Sequence, residues 1–105
     1  MEKLDKKTIL AYLKSIKPDL KKKGIVTIAL FGSYAKDDTS VYSDIDIAIK
    51  KEREFLKRFS PYDYFSTLNA LRNDLVRHFH RPVDIFDLDS ASPIKNIIEK
   101  EMIDA

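Results

Sequence analysis

Seven consecutive residues, Ile25-Val26-Thr27-Ile28-Ala29-Leu30-Phe31, constrain the fold of this chain more than any other segment. The run is nearly all apolar and rich in β-branched side chains, the composition of a strand buried on both faces. Such a strand belongs at the centre of a sheet that has other layers packed above and below it. Helical periodicity supplies those layers. From about Leu4 to Leu20, Ile9, Leu10, Leu13, Ile16 and Leu20 recur at three- and four-residue steps, one buried stripe on a helix. Lys21-Lys22-Lys23-Gly24 ends it, with cations at the negative end of the dipole and glycine where a left-handed turn is easy. The lysines therefore read as a solvated cap and not as a nucleic-acid patch.

A polar stretch from Gly32 to Ser43 leads into Asp44-Ile45-Asp46-Ile47-Ala48-Ile49, which alternates with period two and predicts a second strand. Ser60-Pro61-x-Asp63 signals a helix start. Phe65, Leu68, Leu71, Leu75 and Phe79 mark the buried stripe of the long helix that follows. Pro82 to Leu88 reads as a third strand, with proline where a missing N–H is tolerated. Ser92-Pro93 opens a last helix with Ile94, Ile97, Ile98 and Met102 facing inward. No repeat or low-complexity segment interrupts this alternation, so the expected class is α/β (α+β) in one domain over residues 1–105.

Composition narrows the function. Nineteen Lys and Arg against seventeen Asp and Glu leave a net charge of +2, too balanced for a protein that grips nucleic acid through a basic surface. No apolar run approaches the roughly 20 residues that span a bilayer, and Met1-Glu2-Lys3-Leu4-Asp5 lacks a signal-peptide core, so the expectation is a cytoplasmic protein with no membrane partner. With no cysteine, neither a thiol nucleophile nor a Cys-based zinc site is available.

The chemistry concentrates at strand ends. Residues two apart on a strand share a face, so Asp44 and Asp46 hold two carboxylates side by side while Ile45, Ile47 and Ile49 pack behind them. Like charges at that spacing are relieved by a hard divalent cation, and Asp84, on the third strand, adds a third acid. Mg²⁺ fills its remaining positions with water and phosphate oxygens, which makes a nucleoside triphosphate the natural ligand. Gly32 lets the backbone approach that phosphate closely, and Ser33 adds a hydroxyl and an N–H at the start of a short helix.

Gly32-Ser33, ten residues from Tyr34 to Ser43, then Asp44-Ile45-Asp46 resembles the Gly-Ser-x10-Asp-x-Asp pattern of nucleotidyltransferases in the DNA polymerase beta superfamily. Phe31-Gly32-Ser33-Tyr34-Ala35 and the segment Tyr42 to Ile49 are similar to the minimal nucleotidyltransferases, commonly the antitoxins of HEPN-domain toxins. Val83-Asp84-Ile85-Phe86 resembles the strand that carries that family's third acid. The resemblance implies a small mixed sheet with helices packed on it. It implies catalytic and metal-binding Asp44, Asp46 and Asp84 holding two Mg²⁺ ions, with ATP bound through Gly32, Ser33 and Lys36. The implied activity is transfer of AMP to a tyrosine hydroxyl of a HEPN RNase toxin, with Asp84 the candidate for taking the acceptor proton. The chain departs from the family at Ala35-Lys36-Asp37, where many members have Ala-Arg-Gly. Lys36 is a point charge without a bidentate fork, and Asp37 adds an acid. That departure keeps open an alternative, a binding module that neutralises its toxin by occlusion. A third reading, the nucleotide-adding half of a two-chain enzyme acting on RNA or a small molecule, ranks lower because 105 residues are expected to form one domain, without a second to hold such a substrate.

Several other residues read as structural or ambiguous. His78 and His80 are expected to be solvated groups at a helix end, and Asp87 and Asp89 to lie on the surface. Tyr34 and Tyr42 flank the motif loop, where stacking on a base competes with ordinary ring packing. Tyr62, Tyr64 and Phe65 crowd the start of the long helix as either core or partner surface.

Overall fold

In the computed structural model, which describes residues 4–39, 43–90 and 92–105, nine elements follow one another along the chain. They are α1 (Lys6–Lys22), β1 (Ile25–Phe31), α2 (Gly32–Ala35), β2 (Ile45–Lys51), α3 (Phe55–Arg58), α4 (Pro61–Phe79), β3 (Val83–Asp87), α5 (Lys95–Glu101) and β4 (Ile103–Asp104). The sheet runs β3-β2-β1-β4, with β1 antiparallel to β2 and β4, and β2 parallel to β3. The expected α/β class with a small mixed sheet is therefore the observed one. The parallel pair requires a crossover, which α3 and α4 provide.

Register follows from the isoleucines. Ile45, Ile47 and Ile49 are fully buried against Ile9 and Leu13 of α1 and Leu71, Leu75 and Phe79 of α4. Each such side chain contributes about 1.5–3 kcal/mol relative to an exposed one. A one-residue slip would put Asp46 into that core and all three isoleucines on the opposite face, so the slip is strongly disfavoured. The opposite face carries Ala29, Ala48, Phe31 and Phe86, which pack with Leu88, Met102 and Ile98 of α5. As expected, β1 is interior and covered on both sides.

Local signals set the helix ends. Asp5 accepts a hydrogen bond from the Thr8 N–H at 2.9 Å and starts α1. Ser60 and Asp63 form a reciprocal capping box on α4, with Pro61 in the first turn. Gly24, at φ +88°, lies so close to the Phe55 ring that a Cβ would approach it to 2.6 Å, so the α1–β1 turn and α3 fit together only around glycine.

The structure differs from the sequence reading in five places. Phe65 is 64% exposed, because Tyr64 occupies the inward position that continues through Leu68, Leu71, Leu75 and Phe79, and Phe65 is turned about 100° from it. Ile97 is exposed for the same reason beside buried Ile98, and Ile94 precedes α5 and is also exposed. Strand β2 begins at Ile45, so Asp44 sits just ahead of it instead of within it. Asp87 is the last residue of β3 and half-buried, not a surface group. Finally, α3 and β4, with four and two residues, are too short to leave a periodic trace.

His80 follows α4 in the left-handed region at φ 56°, with its N–H donating to the Val76 carbonyl at 2.8 Å and its side chain exposed. Glycine adopts this conformation without the Cβ penalty. His80→Gly is expected to stabilise the protein by about 0.5–1 kcal/mol, raising Tm by about 2–8 °C in thermal unfolding.

Candidate active site

Phe31 of β1 pairs with Asp46 of β2, and Asp46 pairs with Asp84 of β3, so three adjacent strands line up their residues at one end of the sheet. Asp46 and Asp84 stand two residues before Ala48 and Phe86 and so share with them the α5 side of the sheet. Immediately after Phe31 the chain turns at Gly32, φ +74°, into α2. A Cβ at Gly32 would collide with the Asp46 carboxylate. Glycine is thus required twice, for its φ and for the space that lets this carboxylate lie against the turn.

Asp46 is half-buried, and Asp44 and Asp84 are exposed. Burial pushes the Asp46 carboxyl above the usual carboxylate range, and the charges of Asp84 and then Asp44 push it further. All three predicted acids therefore act on one locus. Among the described residues, however, no three acids or imidazoles converge closely enough to enclose an ion as they stand. Their chemistry still fits a hard divalent cation: oxygen donors, uncompensated negative charge and a carboxyl whose ionisation a cation would assist.

Ser33 lies in the first turn of α2 and is half-buried. Lys36 ends that helix, and its Nζ pairs with the Glu101 carboxylate at 3.2 Å. Asp37 takes the left-handed conformation, φ 57°, and pairs with Lys6 at 2.9 Å. That φ explains how an Asp can occupy a place where glycine is common, since Asp and Asn tolerate it better than most side chains. Tyr34 is buried in the core, so its ring is committed to packing. Ser40, Val41 and Tyr42 lie outside the described residues, Tyr42 with its stacking role among them.

The other polar groups noted in the sequence have separate positions. Asp87 accepts hydrogen bonds from Lys51 Nζ at 2.6 Å, from the Tyr64 hydroxyl and from the Asp89 N–H. Burial alone would raise its pKa, but the bonds from Lys51, Tyr64 and the Asp89 N–H outweigh it and hold the carboxyl low. Burial, reinforced by the bond to Asp87, pushes the Tyr64 phenol far up. This network anchors α4 to the far ends of β2 and β3, and sequence reading missed it because its members are scattered over three elements. His78 stacks on Tyr12 at 3.9 Å, while Tyr12 donates to Asp74 at 2.6 Å, which ties α4 to α1. A groove of about 970 Å³ lies at the end of the sheet away from the acids, lined by Val26, Thr27, Lys50, Arg53 and Leu56 among others, and contains none of the three.

Residues 14–103 match the family described as Polymerase beta, Nucleotidyltransferase. Three proteins of Methanocaldococcus jannaschii that carry protein adenylyltransferase names are similar in sequence. MJ1379 is 32% identical over 92% of this chain and 91% of its own, and MJ1215 is 33% identical over 68% and 81%. MJ0128 is 41% identical, but the match spans 50% of this chain and 55% of that relative. Among solved structures, one described as a minimal nucleotidyltransferase superposes with TM-score 0.71 at 21% identity over 98% of both chains. A toxin-antitoxin with AMP-PNP gives 0.61 at 24% identity, covering 96% of this chain and 72% of that one. The toxin-antitoxin MntA-HpeT, in mutant form, gives 0.58 at 22% identity over 96% and 71%. These likenesses establish a shared fold. No helix among the described residues is long and apolar enough to cross a membrane.

The raised Asp46 pKa carries a stability consequence with a definite sign. An acid whose folded pKa lies above its unfolded value binds its proton more tightly when folded, so it opposes folding once pH exceeds that range. Asp46→Asn is expected to raise Tm at pH 7, and the gain is expected to vanish as pH falls below the ordinary value of 3.8, as followed by thermal melts across pH.

Proposed function

Because the chain belongs to the polymerase beta nucleotidyltransferase family, we propose that it transfers AMP from ATP to a protein hydroxyl, with Asp44, Asp46 and Asp84 as its catalytic acids. The observation that carries this reading is the Asp46 carboxylate lying against the Gly32 turn, with the charges of Asp44 and Asp84 acting on it. A structural protein gains nothing from lining up acids at one end of a sheet, and the raised Asp46 pKa works against folding.

In the proposed reaction the acceptor oxygen forms a bond to the α-phosphorus of ATP, the bond from that phosphorus to the bridging oxygen breaks, and pyrophosphate leaves. Gly32 allows the phosphates close to the backbone, and the Ser33 hydroxyl donates to them. The acceptor hydroxyl proton passes to the Asp84 carboxylate. Mg²⁺ held by Asp44, Asp46 and Asp84 would supply the charge that polarises the α-phosphate and neutralises the leaving group. The proposed acceptor is a tyrosine of a HEPN-domain toxin, which the modification silences. Relatives with protein adenylyltransferase names support a protein acceptor and the toxin-antitoxin neighbours a toxin as partner, while the tyrosine and the HEPN domain rest on the sequence resemblance alone.

A second reading, neutralisation of the toxin by occlusion without transfer, is favoured by one observation: Lys36 stands paired with Glu101, so a phosphate has to compete for it. The two separate with ATP labelled at either the α- or the γ-phosphate, supplied with Mg²⁺ and host lysate. Transfer predicts α-label alone on a protein band, lost in the Asp44→Asn, Asp46→Asn double variant. Occlusion predicts no labelled band and a double variant that still neutralises the toxin.

A further inference from the structure

Lys36 is the only Lys or Arg between Gly32 and Asp44, so it is the one cation the motif segment itself can offer to a phosphate. Its partner is remote in sequence. Glu101 is the last residue of α5, where an acid opposes the helix dipole and gains nothing from its own element. Yet the sheet brings it to the phosphate turn. Ile103 of β4 pairs antiparallel with Leu30 of β1, and Met102 packs in the same cluster as Phe31, which carries the end of α5 toward the Gly32 turn. The Lys36 and Glu101 side chains remain 54% and 38% exposed, so the pair is solvent-screened, weak and open to exchange.

We infer that Glu101 is a placeholder for nucleotide phosphate: it holds Lys36 while the site is empty and yields it when the triphosphate arrives. This rests on the nucleotide-binding reading above and adds a device that sets how tightly the triphosphate is held. The exchange trades one carboxylate for the denser negative charge of a triphosphate and frees the C-terminal end of α5. Glu101 is accordingly a positioning residue, acting through Lys36 and not on the reacting atoms.

Calorimetric titration of ATP with excess MgCl₂ into four proteins tests it: wild type, Glu101→Gln, Lys36→Gln and the double variant. A screened pair of this kind predicts that Glu101→Gln binds ATP about two- to fivefold more tightly than wild type. Lys36→Gln should bind more weakly, and the double variant should match Lys36→Gln, because without Lys36 there is nothing for Glu101 to release. A purely structural role for Glu101 would not produce that pattern. Wild-type binding with unchanged affinity in Glu101→Gln overturns the placeholder while leaving the nucleotide site standing. A gain that persists in full without Lys36 also overturns it, since Glu101 would then act on the phosphates through its field alone. Absence of ATP binding by wild type removes the site and the placeholder together.

Discussion

The close approach of the Gly32 turn to the Asp46 carboxylate is where the fold and the chemistry meet. It depends on a register that has nothing to do with catalysis: Ile45, Ile47 and Ile49 must point into the core beneath α1 and α4, and that requirement turns Asp46 toward the other face. The same register sets Asp84 of β3 beside it and Phe31 of β1 on its other flank, so the chain leaves β1 directly above the carboxylate. Hydrophobic packing on one face thus holds a polar constellation on the other. A side chain at Gly32 would push against Asp46, and the cost of moving that carboxylate would pass into the central strand.

Stability and function pull against each other here. Burial and two neighbouring acids disfavour ionised Asp46, while at the far end of the same strands Asp87 is held ionised by Lys51 and the Tyr64 hydroxyl. One end of the parallel pair is strained electrostatically, and the other is satisfied. The satisfied end ties α4 to the sheet, which leaves the acid end as the place where an added cation or polyanion–cation complex has most to relieve. The fold also accommodates the departure from Ala-Arg-Gly. Asp37 adopts the left-handed backbone that glycine would take, so the turn is retained while the charge pattern around Lys36 changes.

Much of this was legible from residues alone, and the exceptions have physical causes. The limits of β1 and the capping box of α4 are written in local chemistry: continuous apolar residues in one case, Ser60-Pro61-x-Asp63 in the other. The strand positions of the candidate acids Asp46 and Asp84 were legible because alternation is a short-range signal, whereas Asp44, read as part of the second strand, falls just ahead of it. What could not be read were relations between distant segments. Glu101 reaches Lys36 only because the two-residue strand β4 pairs with β1, and two residues have no periodicity. Tyr64 displaced Phe65 from the inward stripe because two adjacent aromatics fit a helical pattern almost equally well, and the choice was made by a carboxylate on β3. His78 gained a stacking partner on α1 for which no local pattern exists.

The account turns on Gly32 making room for Asp46, and the rate of α-phosphate transfer in Gly32→Ala, measured beside wild type, tests that most directly. Displacing a reacting group by about 1 Å can reduce a rate about 100-fold, so a loss of that order is predicted while the circular dichroism spectrum retains its sheet and helix signals. A Gly32→Ala protein that keeps its fold and transfers AMP at the wild-type rate would contradict it.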